Sequence, residues 1–142
     1  WREGNRLQHL GIATPAPLAV VESRWCWLRG RAWLVTGYCS GQDVLAVLQP
    51  WLETPPPEKY LLALDRLFAA LMREQISHGD LKGTNLLWDE ASGCWSLIDL
   101  DAMQQHRSAQ GFARAYARDR ARFLRNWPAD SKLYRMLDER LA

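Results

Sequence analysis

Apolar residues recur along the chain in blocks whose spacing changes from block to block, and that spacing predicts the elements. Leu7 and Leu10 stand at helical separation and Gly11 follows where a helix stop is expected, so residues 1–10 read as the end of a helix. "GIATPAP" is a loop, because Pro15 and Pro17 forbid helix and bias the residues before them toward extended backbone. "PLAVVES" and "AWLVTGY" are two strands of an antiparallel hairpin, joined through Trp25 and Trp27 with Gly30 near the turn. "GQDVLAVLQPWLE" predicts a short helix ending near Pro50. "TPPPEK" then breaks the chain, with Thr54 placed to cap the next helix. Residues 58–75 carry the strongest helical pattern, Tyr60, Leu64, Leu67 and Leu71 forming a broad apolar face that predicts a buried central helix. "NLLWD" and "CWSLID" are short strands around the turn "EASG". Helical periodicity returns from Phe112 to about Arg125 and again from residue 131 to the end.

Composition narrows the class. A chain of 142 residues with 48% apolar content suits one domain or part of one. The formal charge is only +2, and its arginines concentrate between residues 107 and 125 without interleaved aromatics on a continuous basic stripe, which argues against nucleic-acid binding. Cys26, Cys39 and Cys94 form no CxxC pair, so neither a disulfide framework nor a zinc site is expected, and a reducing compartment fits. No apolar run approaches the roughly 20 residues of a membrane span, and no basic-then-apolar signal segment opens the chain, so a cytoplasmic protein is expected.

Two clusters carry candidate chemistry. "ISHGDLKGTNLLW" crowds His78, Asp80, Lys82 and Asn85 between apolar runs, and "LIDLDAM" comes one hairpin later with Asp99 and Asp101. Phosphoryl transfer from a nucleotide needs a carboxylate to orient and deprotonate the acceptor hydroxyl, and oxygen ligands to hold magnesium across the phosphates. Asp80 suits the first task. Asn85 and Asp99 suit the second, because a tight hairpin between them returns Asp99 to the side of Asn85. Lys82, two residues beyond Asp80 on an extended loop, points the same way and can neutralise charge on the transferred group.

"HGDLKGTN" followed by "IDLD" resembles the catalytic loop and metal-binding motif of protein-kinase-like phosphotransferases. Glycine replaces the arginine of "HRD" and "DLD" replaces "DFG", which makes the chain more similar to lipopolysaccharide core (heptose and Kdo) kinases and to aminoglycoside-type small-molecule kinases. "LQHLGIATPAPLAV" and "RDRARFLRNWP" also resemble segments of the lipopolysaccharide kinases, so the likeness runs over nearly the whole chain. It implies an α+β protein-kinase-like fold, with a partial N-lobe over residues 1–38 and a mostly helical C-lobe over 39–142. ATP and Mg²⁺ are the implied cofactors. Asp80 would be the base, Lys82 the phosphate contact, Asn85 and Asp99 the metal ligands. In "WLVTGYCSGQD", which resembles the linker between lobes, the backbone of Gly37 and Cys39 would meet adenine, with Asp43 near the ribose and Leu87 on the pocket floor. Glu3 keeps the intervals to Leu7 and Leu10 of the kinase helix glutamate, whose strand lysine belongs before residue 1, so the chain is expected to be a C-terminal piece of a longer kinase.

The resemblance implies an ATP-dependent transfer to a sugar hydroxyl of the lipopolysaccharide inner core. The acceptor would be a glycolipid or small-molecule sugar, with peripheral contact at the inner membrane. An aminoglycoside-type kinase and a catalytically impaired scaffold are the alternatives. The lack of a long segment and of an "APE" motif after "IDLDAM" disfavours a peptide acceptor. His78 reads as a structural turn residue satisfying backbone carbonyls. Asp101 stands between metal ligand and cap, and Asp119 is a candidate anchor for the catalytic loop. The arginines of "RAYARDRARFLR" divide between a solvated helix face and recognition of an anionic acceptor.

Overall fold

Three small antiparallel sheets, rather than one large sheet, hold the strands. The structure is a computed structural model describing residues 1–142. Helix α1 (Arg2–His9) leads through the proline loop into the hairpin of β1 (Pro17–Trp25) and β2 (Leu28–Thr36). β3 (Gln42–Asp43) runs directly into α2 (Val44–Leu48), and a 3₁₀ turn at Gln49–Trp51 ends it at the expected proline. The long α3 (Glu58–Arg73) is followed by β4 (Ile76–Ser77), a 3₁₀ turn at Gly83–Asn85, and the hairpin of β5 (Leu86–Asp89) and β6 (Cys94–Leu97). A 3₁₀ turn at Leu100–Ala102 and β7 (Gln104–Gln105) precede α4 (Ala109–Leu124) and α5 (Lys132–Arg140). The content is α+β, as expected.

The apolar face of α3 is the centre of the core: Leu61, Leu64, Phe68 and Leu71 are each at most 2% exposed. Phe68 meets Phe123 of α4, ring centroids 5.5 Å apart, and the β5–β6 hairpin packs across α3, where the Trp95 indole donates to the Tyr60 carbonyl at 3.0 Å. That hairpin keeps the period of two read from the sequence. Leu86 pairs with Leu97 and Trp88 with Trp95, all four buried, and Gly93 supplies the left-handed turn residue at φ 64°.

Two local expectations are corrected. The first hairpin turns at Cys26–Trp27, where Cys26 takes φ 54°, and Gly30 lies within β2. The register slips between Glu22 and Arg24, and a Cβ on Gly30 would strike the Ser23 hydroxyl. The glycine therefore accommodates a bulge and does not make the turn. Thr54 caps nothing. α3 begins after Pro57 with no side-chain cap, because Pro55, Pro56 and Pro57 separate Thr54 from the first helical turn. Glu58 in that first turn complements the helix dipole and binds Arg140 of α5 at 2.6 Å. Side-chain caps do begin α4 and α5, where Ser108 and Ser131 accept from Gly111 and Tyr134, both at 3.1 Å.

Candidate active site

The segment from Ile76 to Asn85 is largely irregular, and groups from distant parts of the chain bind its backbone. Ile76 and Ser77 pair with Gln105 and Gln104, and the Ser77 hydroxyl meets the His106 ring at 2.8 Å. His78 is fully buried and its Nε2 lies 2.9 Å from the Ile98 carbonyl, the structural role expected of it. Its amide donates to Asp119 of α4 at 2.6 Å, and the amide of Gly79 donates to the same carboxylate at 3.0 Å. Asp119 thus anchors the loop. Burial pushes its carboxyl above the usual range, against the pull of those two amides. Gly79 sits at φ 82° with the Ala102 carbonyl so close that no Cβ fits, which explains glycine at this position.

Asp80 then emerges at the surface between two cations, with Lys82 Nζ at 3.4 Å and Arg122 Nε at 3.0 Å. Partial desolvation pulls its carboxyl upward, but the hydrogen bond and charge of Lys82, together with Arg122, outweigh it and hold the group below the ordinary carboxylate value. Asp80 is ionised at neutral pH.

Asn85 ties the two clusters together. Its side-chain amide donates to the Asp80 carbonyl at 3.0 Å, and its own carbonyl accepts from the amide of Ile98 at 3.0 Å, one residue before Asp99. Asn85 is 4% exposed, and with its Nδ2 committed to Asp80 its Oδ1 accepts from no protein donor. Asp99 occupies the left-handed region at φ 58° and ψ 62°, a conformation costing a non-glycine residue about 1–3 kcal/mol. Its carboxylate makes no hydrogen bond or ion pair with the protein. It lines a cleft of about 380 Å³ whose walls also include Glu3, Thr14, Thr36 and Asp101. Glu3 is held there by Arg6 at 2.7 Å and Arg2 at 2.9 Å.

The side-chain oxygens of Asn85 and Asp99 are each hard donors without protein partners, the donor chemistry a magnesium ion takes, although Asn85 is not among the residues lining the cleft that contains Asp99. No group of three or more His, Cys, Asp or Glu side chains converges anywhere in the chain, this site included.

The other sequence candidates sit outside that cleft wall. The Gly37 amide is committed to the Ala16 carbonyl at 2.7 Å, whereas the amide of Cys39, like those of Tyr38 and Ser40, makes no backbone hydrogen bond. Asp43 caps α2, accepting from the Ala46 amide at 2.9 Å, and Leu87 is half-buried on β5 beside Asp43. Arg122 was missed as a contact of Asp80. The available signal was helix geometry: a residue three positions beyond Asp119 shares its face and must look at the loop that Asp119 holds.

A loop bearing Asp, Lys and Asn in this order is joined, through the hydrogen bond from the Ile98 amide to the Asn85 carbonyl, to a stretch that presents a second aspartate, and these are the residue types that phosphoryl transfer uses. The chain belongs to the lipopolysaccharide kinase (Kdo/WaaP) family, whose family model matches residues 1–132. No curated protein matches it. Membership supports a phosphotransferase related to lipopolysaccharide, and the α+β content is compatible with a kinase-like architecture. No helix is long and apolar enough to cross a membrane.

Proposed function

We propose that the protein transfers the γ-phosphoryl group of ATP to a sugar hydroxyl of the lipopolysaccharide inner core. The observation that carries this reading is the bridge made by Asn85, which binds the Asp80 carbonyl on one side and the Ile98 amide on the other while its Oδ1 stays free. In this reading Asp80 accepts the hydroxyl proton, and Lys82 stabilises negative charge on the group in transfer. Asn85 and Asp99 would hold Mg²⁺, which supplies charge neutralisation between the phosphates when bound. Glu3 and the backbone of Cys39 would border the nucleotide between a partial N-lobe (residues 1–38) and a C-lobe (residues 39–142). Gly37 would contribute through its carbonyl, Asp43 through the end of α2 that it caps, and Leu87 through the pocket floor.

The family supports a sugar or glycolipid acceptor. A cytoplasmic enzyme working on such an acceptor needs contact with the inner-membrane face. Trp25 and Trp27 at the first hairpin's tip are 80% and 97% exposed, and Arg24 and Arg29 flank them, a combination suited to a bilayer interface.

The test uses γ-labelled ATP with deacylated inner-core oligosaccharide, and with an aminoglycoside as the competing small-molecule acceptor. Label should enter the oligosaccharide, and Asp80→Ala should reduce transfer by about 10²–10⁴-fold while leaving the melting temperature unchanged. Turnover by the variant near that of the parent protein would overturn the assignment.

A further inference from the structure

A second cavity, of about 350 Å³, opens beside Asp80 and shares no residue with the cleft that contains Asp99. Lys82, Thr84, Arg122, Arg125 and Asn126 line it, and none of them is apolar. Of the three cations that line it, Lys82 and Arg122 pair with one carboxylate, that of Asp80, which leaves a formal surplus of two positive charges. Arg122 and Lys82 share this carboxylate, while Arg125 is exposed and has no acidic partner. A surplus of this kind on five polar side chains, with Thr84 and Asn126 adding neutral donors, is chemically matched to an anion.

The Asp80–Arg122 pair is itself exchangeable. Its side chains are 34% and 46% exposed, and ion pairs that open to water contribute little, so a better-matched oxyanion can displace the carboxylate from the guanidinium. Resting on the kinase reading, we propose that this cavity is an anion subsite for the acceptor, taking a phosphate or carboxylate carried near the hydroxyl to be phosphorylated. Arg122 moves from Asp80 to that anion. Acceptor recognition is thereby coupled to release of the base, and an acceptor without the anionic group leaves Asp80 latched to Arg122.

The test measures anion binding directly, by calorimetric titration of the full chain with inorganic phosphate and, separately, acetate at fixed ionic strength. At least one anion should bind saturably, and which one binds tighter tells a phosphate subsite from a carboxylate one. Arg125→Gln should weaken that binding by about tenfold or more. Arg114→Gln removes the same charge from the same helix away from the cavity, and should change affinity by less than about twofold. Asp80→Asn should tighten binding by about fivefold, because the competing carboxylate is gone.

No saturable binding of either anion, equal effects of Arg125→Gln and Arg114→Gln, or no tightening in Asp80→Asn would each overturn the proposal. Melting curves verify that every variant is folded. None of these titrations needs turnover, so failure of the anion site and failure of the kinase reading are separately visible.

Discussion

The first hairpin and the loop around Asp80 are both irregular in sequence, yet they are held in opposite ways. Every residue of β2 is exposed, Trp27 at the tip is 97% exposed, and what joins β1 to β2 is chiefly the backbone ladder. A two-stranded hairpin of that kind is marginal by itself. The loop at residues 76–85 has almost no ladder, but His78, Asn85 and Asp119 are buried and spend their side chains on its backbone and on the strand end next to it. Order at the candidate chemistry therefore comes from side chains that reach backbone groups far away in sequence. Order in the hairpin comes from local pairing and depends on whatever lies against it.

Removing Asp119 is the most severe test of that contrast. Asp119→Ala leaves the buried amide of His78 and the partly buried amide of Gly79 without an acceptor, which should cost about 3 kcal/mol and be seen as a lowered denaturation midpoint. It should also cost about 10²-fold in kcat, because Asp80 adjoins that backbone directly. A variant with wild-type stability would show that the loop is held by something else. At the small end, Trp27→Ala should change unfolding free energy by less than about 0.5 kcal/mol, since its ring touches water on nearly all sides. A loss above about 2 kcal/mol would mean that the hairpin is packed in solution and that the two regions are alike.

The same contrast explains what could be read from the chain alone. α3 and the β5–β6 hairpin were legible because their apolar positions repeat at 3.6 and 2 residues over enough turns to be distinctive. The candidate chemistry was legible because Asp80, Lys82 and Asn85 fall within one short loop and Asp99 one hairpin later. β3, β4 and β7 were not, as two-residue strands have no periodicity. Asp119 could be suggested only by resemblance, since its partners lie some 40 residues earlier. Arg122 was hidden in an arginine run whose pattern is also that of a solvated helix face. Gly30 and Thr54 misled for one reason: glycine and threonine serve several local geometries, and neighbours across a strand or three prolines in a row decide which.

At the centre of the proposed function are the unpartnered oxygens of Asn85 and Asp99, which in that proposal hold the cation that accompanies ATP. Electron paramagnetic resonance of Mn²⁺–ATP titrated into the protein, with and without Asp99→Asn, tests this most directly. Binding should weaken by about tenfold or more in the variant while ATP without metal binds both proteins alike. Equal Mn²⁺–ATP binding by the two proteins would contradict the assignment of the site.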